Sequence, residues 1–142
     1  MNDLQETIDE IVNLDEARYF YHLTSKSGED ILEEGLFVAN PLWEQSFLEF
    51  TEEEIKDIDS VIDNNRSKIR NSHTMIIAGI YKDAIDDLIR PLNKGEKAFV
   101  DFDGVGSPDY IVESRFIVGY VDMDTREIVL NDRAMVSDFF EL

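Results

Sequence analysis

The sequence predicts an α+β fold, and three observations lead to it. Helical periodicity dominates the start of the chain, β-branched and alternating runs gather later, and the two do not interleave as regular β–α–β units. Only three prolines and seven glycines punctuate 142 residues, and no low-complexity linker or internal repeat occurs, so a single domain over 1–142 is expected. Apolar residues are 43% and aromatics 11% of the chain, ample for a core despite a formal net charge of −19.

The elements follow in order. Residues 3–13 carry Leu4, Ile8, Ile11 and Val12 on one helical face, with Asp3, Glu6, Asp9 and Glu10 outside it. Arg18–Thr24 is aromatic-rich and reads as a strand. Alternation puts Phe20, His22 and Thr24 on one of its faces and Tyr19, Tyr21 and Leu23 on the other. Ser27 stands three residues before Asp30 and Gly35 follows, which predicts a short helix over Gly28–Glu34 with a cap at each end. Leu36–Val38 continues as an extended piece, and residues 40–50 read as a loop with apolar anchors. Thr51 and Glu54 form a capping box that opens a helix to about Asn64, with Ile55, Ile58, Val61 and Ile62 on its apolar face. Thr74–Tyr81 is a short β-branched run, expected to be a buried strand. A short helix over Lys82–Ile89 is expected to stop at Arg90-Pro91. Lys97–Phe102 alternates as a strand and Asp103–Pro108 is turn-rich. Asp109–Val112, Arg115–Asp122 and Glu127–Leu130 read as strands, with Met123–Thr125 a tight turn between the last two. Residues 131–142 form a tail that can dock as a helix through Met135, Val136, Phe139 and Phe140.

Composition excludes several classes of function. Basic residues number 13 and acidic residues 32, so non-specific binding to nucleic acid or to an anionic membrane is not expected. The charge is uneven: residues 1–63 hold 18 acidic and 3 basic residues, against 14 and 10 in residues 64–142. That acidic half reads either as solvated helix faces or as a docking face for a basic partner. With no cysteine there can be no disulfide, thiolate nucleophile or Cys-based metal site. The acidic N-terminus has no signal-peptide pattern and no apolar run approaches a membrane span, so a cytoplasmic protein is expected.

No stand-alone catalytic motif is present. Asp101 and Asp103 form a D-x-D without the spacing of a calcium loop, and His22 and His73 lie 51 residues apart, so no metal site is expected. His22 is the most informative residue. On a strand face beside a hydroxyl, an imidazole can hydrogen-bond a ribose diol, although a lone strand histidine is also compatible with a packed core position.

Tyr21-His22-Leu23-Thr24-Ser25 followed by Ile31-Leu32-Glu33-Glu34-Gly35-Leu36 resembles the opening of the ADP-ribosyltransferase-like fold, where a strand bearing H-x-T precedes a short helix and an I-L-x-x-G-L turn. Pro108-Asp109-Tyr110-Ile111-Val112 resembles the same family's P-E-Y-x-V strand, and the similarity spans residues 19–122. It implies helices packed on two short, mainly antiparallel sheets, with 1–17 an N-terminal helix, 18–130 the core and 131–142 the tail. It also implies NAD as substrate, with His22 on the adenosine-side ribose and Thr24 or Ser25 assisting. The catalytic carboxylate would be Asp109, standing where the family has Glu, or Glu113 four residues on; a bulge at Glu113-Ser114 would turn Glu113 away. Phe50 or Trp43 would stack on nicotinamide in place of the family's Tyr, and Arg18, Lys26 and Arg115 would offset the pyrophosphate. The implied activity is mono-ADP-ribosyl transfer to a protein or nucleic-acid target. The alternative is a non-enzymatic acidic protein of inhibitor, immunity or anti-defence type that docks a basic partner.

Overall fold

The structure is a computed structural model and describes residues 4–12, 15–38, 48–66, 73–93 and 110–131. It is α+β, with helices packed on two antiparallel sheets. The helices are α1 (Leu4–Ile11), α2 (Gly28–Glu34), α3 (Glu52–Ile55) and α4 (Ile58–Arg66). The strands are β1 (Ala17–Thr24), β2 (Leu36–Val38), β3 (Leu48–Glu49), β4 (Thr74–Tyr81), β5 (Arg90–Pro91), β6 (Tyr110–Val112), β7 (Ile117–Asp122) and β8 (Ile128–Leu130). The first sheet has the order β3-β1-β4-β7-β8 and the second the order β2-β6-β5.

The first sheet divides the core in two. Tyr19 and Tyr21 of β1 with Met75 and Ile77 of β4 face α1, α3 and α4, and pack on Ile8, Ile55, Ile58 and Ile62. Phe20, Ile76, Ala78 and Ile80 face the other way, onto Ile31 of α2 and onto Leu36 and Val112 of the second sheet. Strand β4 is buried on both faces, which explains its unbroken apolar run. On the second sheet Leu36 pairs with Val112 toward this shared core, while Phe37, Ile111 and Arg90 align on its other face.

Local chemistry sets the element ends. The Ser27 hydroxyl accepts from the Asp30 amide, and Gly35 ends α2 at φ +94°, a conformation that favours glycine. The Thr51–Glu54 capping box forms as expected. The helix it opens, however, breaks at Lys56-Asp57 instead of running to Asn64, because Asp57 starts a second helix by accepting from the Ser60 amide and hydroxyl. Gln5 of α1 spans the break, donating to the Ile55 carbonyl at 2.9 Å and accepting from the Ile58 amide at 2.8 Å.

Other boundaries also differ from expectation. Leu48–Glu49, expected within a loop, is an edge strand on β1. The helix expected at 82–89 is a 3₁₀ segment, Lys82–Asp87, and Arg90-Pro91 joins the second sheet as a short strand. The strand expected from Arg115 begins at Ile117, after a 3₁₀ turn at Ser114–Phe116. That turn carries the chain from the second sheet into the first, so the irregularity anticipated at Glu113-Ser114 is a change of sheet. The expected strand Lys97–Phe102, the loop Asp103–Pro108, Asp109, Trp43 and the tail 132–142 lie outside the described residues.

Candidate functional site

The β1 register fixes the surroundings of His22. His22 pairs with Ile76, and Ile76 pairs with Tyr120, so the three side chains form one row across the face that carries Phe20. Thr24, Thr74 and Asp122 form the next row toward the sheet end. Helix α2 begins over this region. A Cβ on Gly28 would lie 2.4 Å from the Tyr120 ring, so the bare backbone of Gly28 packs directly on the aromatic face.

His22 is 9% exposed and Thr24 1% exposed, so both side chains are buried at the margin of the shared core. The Thr24 hydroxyl accepts from the Lys26 amide at 3.0 Å, a turn that bends the chain out of β1 toward α2. Ser25 lies on that turn and is exposed. The Tyr120 hydroxyl is held above its ordinary pKa, first by burial and then by the negative charges of Glu29, Glu127 and Asp122. The rim beyond the His22 row is therefore acidic.

Two expected site residues stand elsewhere. Phe50 does not share a face with His22. Its amide donates to the Tyr19 carbonyl and its ring lies 4.6 Å from that of Tyr21, on the side of α1 and α4. Alternation along β1 is the reason, since Tyr21 and His22 point to opposite faces. Glu113 follows Val112 out of the second sheet on the side of Ile111 and Arg90, away from the core shared with β1. One of its carboxylate oxygens meets Arg90 Nε at 3.2 Å, and the other meets Arg115 Nη2 at 3.0 Å. Arg115 also lies over the Phe116 ring, 4.6 Å from its centroid. Arg18 projects from the His22 face but is paired with Glu49, which its hydrogen bonds hold below the usual carboxylate range.

Tyr120 and Arg90 are the residues that sequence reasoning missed. Tyr120 belongs to an alternating run, yet its place in the row of His22, two strands away across Ile76, needs the register of three strands. Arg90 looks like part of a helix stop, and its partner Glu113 is 23 residues away. At the opposite end of β1 a half-open cleft of about 240 Å³ is lined by Arg18, Tyr19, Glu49, Phe50, Glu52 and Lys82 among others. Among the described residues no group of three or more His, Asp or Glu side chains is placed to hold a metal, and no helix is long and apolar enough to cross a membrane.

The fold and site thus define a two-sheet α+β protein with a His–Thr strand face under the start of a short helix. No protein family, curated protein or solved structure matches the chain.

Proposed function

We propose that the chain is an ADP-ribosyltransferase-like protein that takes NAD as substrate and modifies a protein or nucleic-acid target. The observation that carries this reading is the placement of His22 and Thr24. They share one face of β1 at the point where the chain turns into α2, and the second sheet packs on that same face through Leu36 and Val112. His22 would hold the adenosine-side ribose, and the exposed Ser25, on the turn that follows β1, would assist.

In the reaction, the bond between C1′ of the nicotinamide ribose and the ring nitrogen breaks. Its electron pair stays with nicotinamide, which leaves neutral, and positive charge develops at C1′. A carboxylate that accepts from the ribose 2′-hydroxyl stabilises that charge. The target nucleophile then forms the new bond at C1′ and releases its proton to the carboxylate or to water. Glu113 is engaged by two arginines on the other face of the second sheet, so the carboxylate role falls first to Asp109 and second to Glu113.

The test is thermal unfolding with millimolar NAD, together with transfer of labelled ADP-ribose. A rise in Tm and a transfer signal, both lost in His22→Ala and the transfer alone lost in Asp109→Asn, is the expected result. No Tm shift and no nicotinamide release would overturn the reading.

A second reading, an acidic protein that docks a basic partner, is favoured by one observation. Glu6, Asp9 and Glu10 of α1 and Glu52 and Glu53 of α3 are exposed on the helical side of the first sheet, opposite His22, while Asp59 and Asp63 of α4 are exposed there but held by Arg126. Under this reading Glu52→Lys/Glu53→Lys weakens partner capture and His22→Ala leaves it intact. Capture indifferent to both charge reversal and salt would exclude it.

A further inference from the structure

The half-open cleft at the start of β1 lies apart from the His22 row, and it forms where a strand edge loses its neighbour. The Phe50 amide donates to the Tyr19 carbonyl at 2.9 Å, so Tyr19 bonds toward the β3 side. Successive strand residues bond alternately to the two sides, so the amide and carbonyl of Ala17 point to that same edge. The Lys82 amide, which donates to the Glu16 carbonyl at 3.0 Å on the β4 side, keeps to this alternation. No described strand lies beside Ala17 on the β3 side, because Thr51 caps α3 and turns the chain away. The free edge of Ala17 therefore opens into a space of about 240 Å³.

The charged side chains around this space are of two kinds. Arg18 and Glu49 satisfy one another, with Arg18 Nε donating to the carboxylate at 2.8 Å. Lys82 and Glu52 also line the cleft and are exposed, and among the described residues neither side chain has a partner. The cleft thus offers one uncommitted cation, one uncommitted carboxylate, one backbone donor and one backbone acceptor. A ligand with a single charge gains from one half of that set and is repelled by the other. A ligand with both charges uses all four groups, one charged and one neutral partner at each end. Drug-sized ligands fill pockets of roughly 300–1,000 Å³, so the smaller space here selects a molecule of few heavy atoms. Ala17 and Phe50 add an apolar wall for an aliphatic group.

We propose that this cleft is a binding site for a small zwitterion, a free α-amino acid with an aliphatic side chain. Its carboxylate pairs with Lys82 and accepts from the Ala17 amide. Its ammonium pairs with Glu52 and donates to the Ala17 carbonyl. The Arg18–Glu49 pair stays intact as a neutral wall, and the aliphatic group rests on Ala17 and Phe50. The site does not depend on the function proposed above, because it lies at the other end of β1 from His22 and uses none of the same side chains.

The experiment is calorimetric titration of the full chain with L-leucine, with leucinamide, which lacks the carboxylate, and with N-acetyl-leucine, which lacks the ammonium. L-leucine should bind saturably with a Kd of about 1 mM or tighter, and each blocked analogue about tenfold more weakly. Lys82→Gln should weaken L-leucine about tenfold and leave leucinamide unchanged. Glu52→Gln should weaken L-leucine to the same degree and leave N-acetyl-leucine unchanged. Both positions are exposed, so neither change disturbs the core. Glu53→Gln removes the same charge one residue further on, outside the cleft, and should leave L-leucine binding as in the parent. No saturable binding of L-leucine up to about 10 mM would overturn the proposal, as would equal losses in Glu52→Gln and Glu53→Gln. N-acetyl-leucine or leucinamide binding as tightly as L-leucine would also overturn it, and would assign the cleft to the C-terminal or N-terminal end of a peptide instead.

Discussion

At Gly28 there is no room for a methyl group. A Cβ would stand within 2.6 Å of three Tyr120 ring carbons, well inside van der Waals contact. Alanine favours a helix over glycine by up to about 1 kcal/mol, but overpacking against a ring held in the sheet costs more, about 1–3 kcal/mol. Gly28→Ala should therefore lower stability in urea unfolding, and Gly28→Ala/Tyr120→Ala should lose less than the sum of the two single changes. Additive losses would show that the two residues do not touch. Because Tyr120 shares a row with His22, the same contact fixes how closely α2 sits over the candidate site. Neither residue announces this in sequence. The glycine reads as the first residue of a capped helix, and the tyrosine as one of several aromatic strand positions.

At the scale of elements, what the sequence makes legible is whatever depends on residues within one turn of each other. Ser27 and Gly35 bound α2 as expected, the Thr51–Glu54 box forms, and β4 runs from Thr74 to Tyr81 as read from its apolar run. The exceptions share a cause. The break at Lys56-Asp57 is held by Gln5, more than fifty residues away, so the apolar face of α3 and α4 looks continuous while the backbone is not. Asp57 caps α4 through its side chain, and Asp57→Ala should cost about 1 kcal/mol, read as a shift of the urea midpoint with unchanged slope. No loss would mean that Gln5 alone starts α4. The candidate site was legible to a similar degree. Alternation placed His22 and Thr24 together correctly. It could not tell that Phe50 packs behind the sheet or that β6 and β7 belong to different sheets, because both facts depend on pairing with distant strands.

At the scale of the whole molecule, charge is unevenly answered. Arg18 and Arg126 each hold acidic partners, Arg18 with Glu49 and Arg126 with Asp59 and Asp63. The Arg18 hydrogen bond holds the Glu49 carboxyl below its ordinary value, its attraction adds to this, and burial opposes it. A carboxyl with a depressed folded pKa contributes stability above its unfolded pKa and loses it as pH falls through the folded one. Both side chains are about two-fifths exposed, so the contribution is under about 1 kcal/mol. Glu49→Gln should therefore be slightly less stable than the parent at neutral pH and equal to it at about pH 2, a comparison made by urea unfolding at both. A deficit that persists in acid would assign the effect to packing at the edge strand.

The division of strands between the sheets also bears on how the chain reaches this structure. In the described residues β7 and β8 are the only paired strands joined by a tight turn. Strand β1 must find β4 across some fifty residues, and β2 must find β6 across more than seventy. Closing such loops is slow, and a three-stranded sheet of short strands repays it only once the first sheet offers Phe20, Ile76 and Ile117 to pack on. Between the two described sheets, the second is thus expected to assemble after the first and to open before it. Its amides should exchange with solvent ahead of those in β4, and Arg90 would then belong to the less protected of the two sheets.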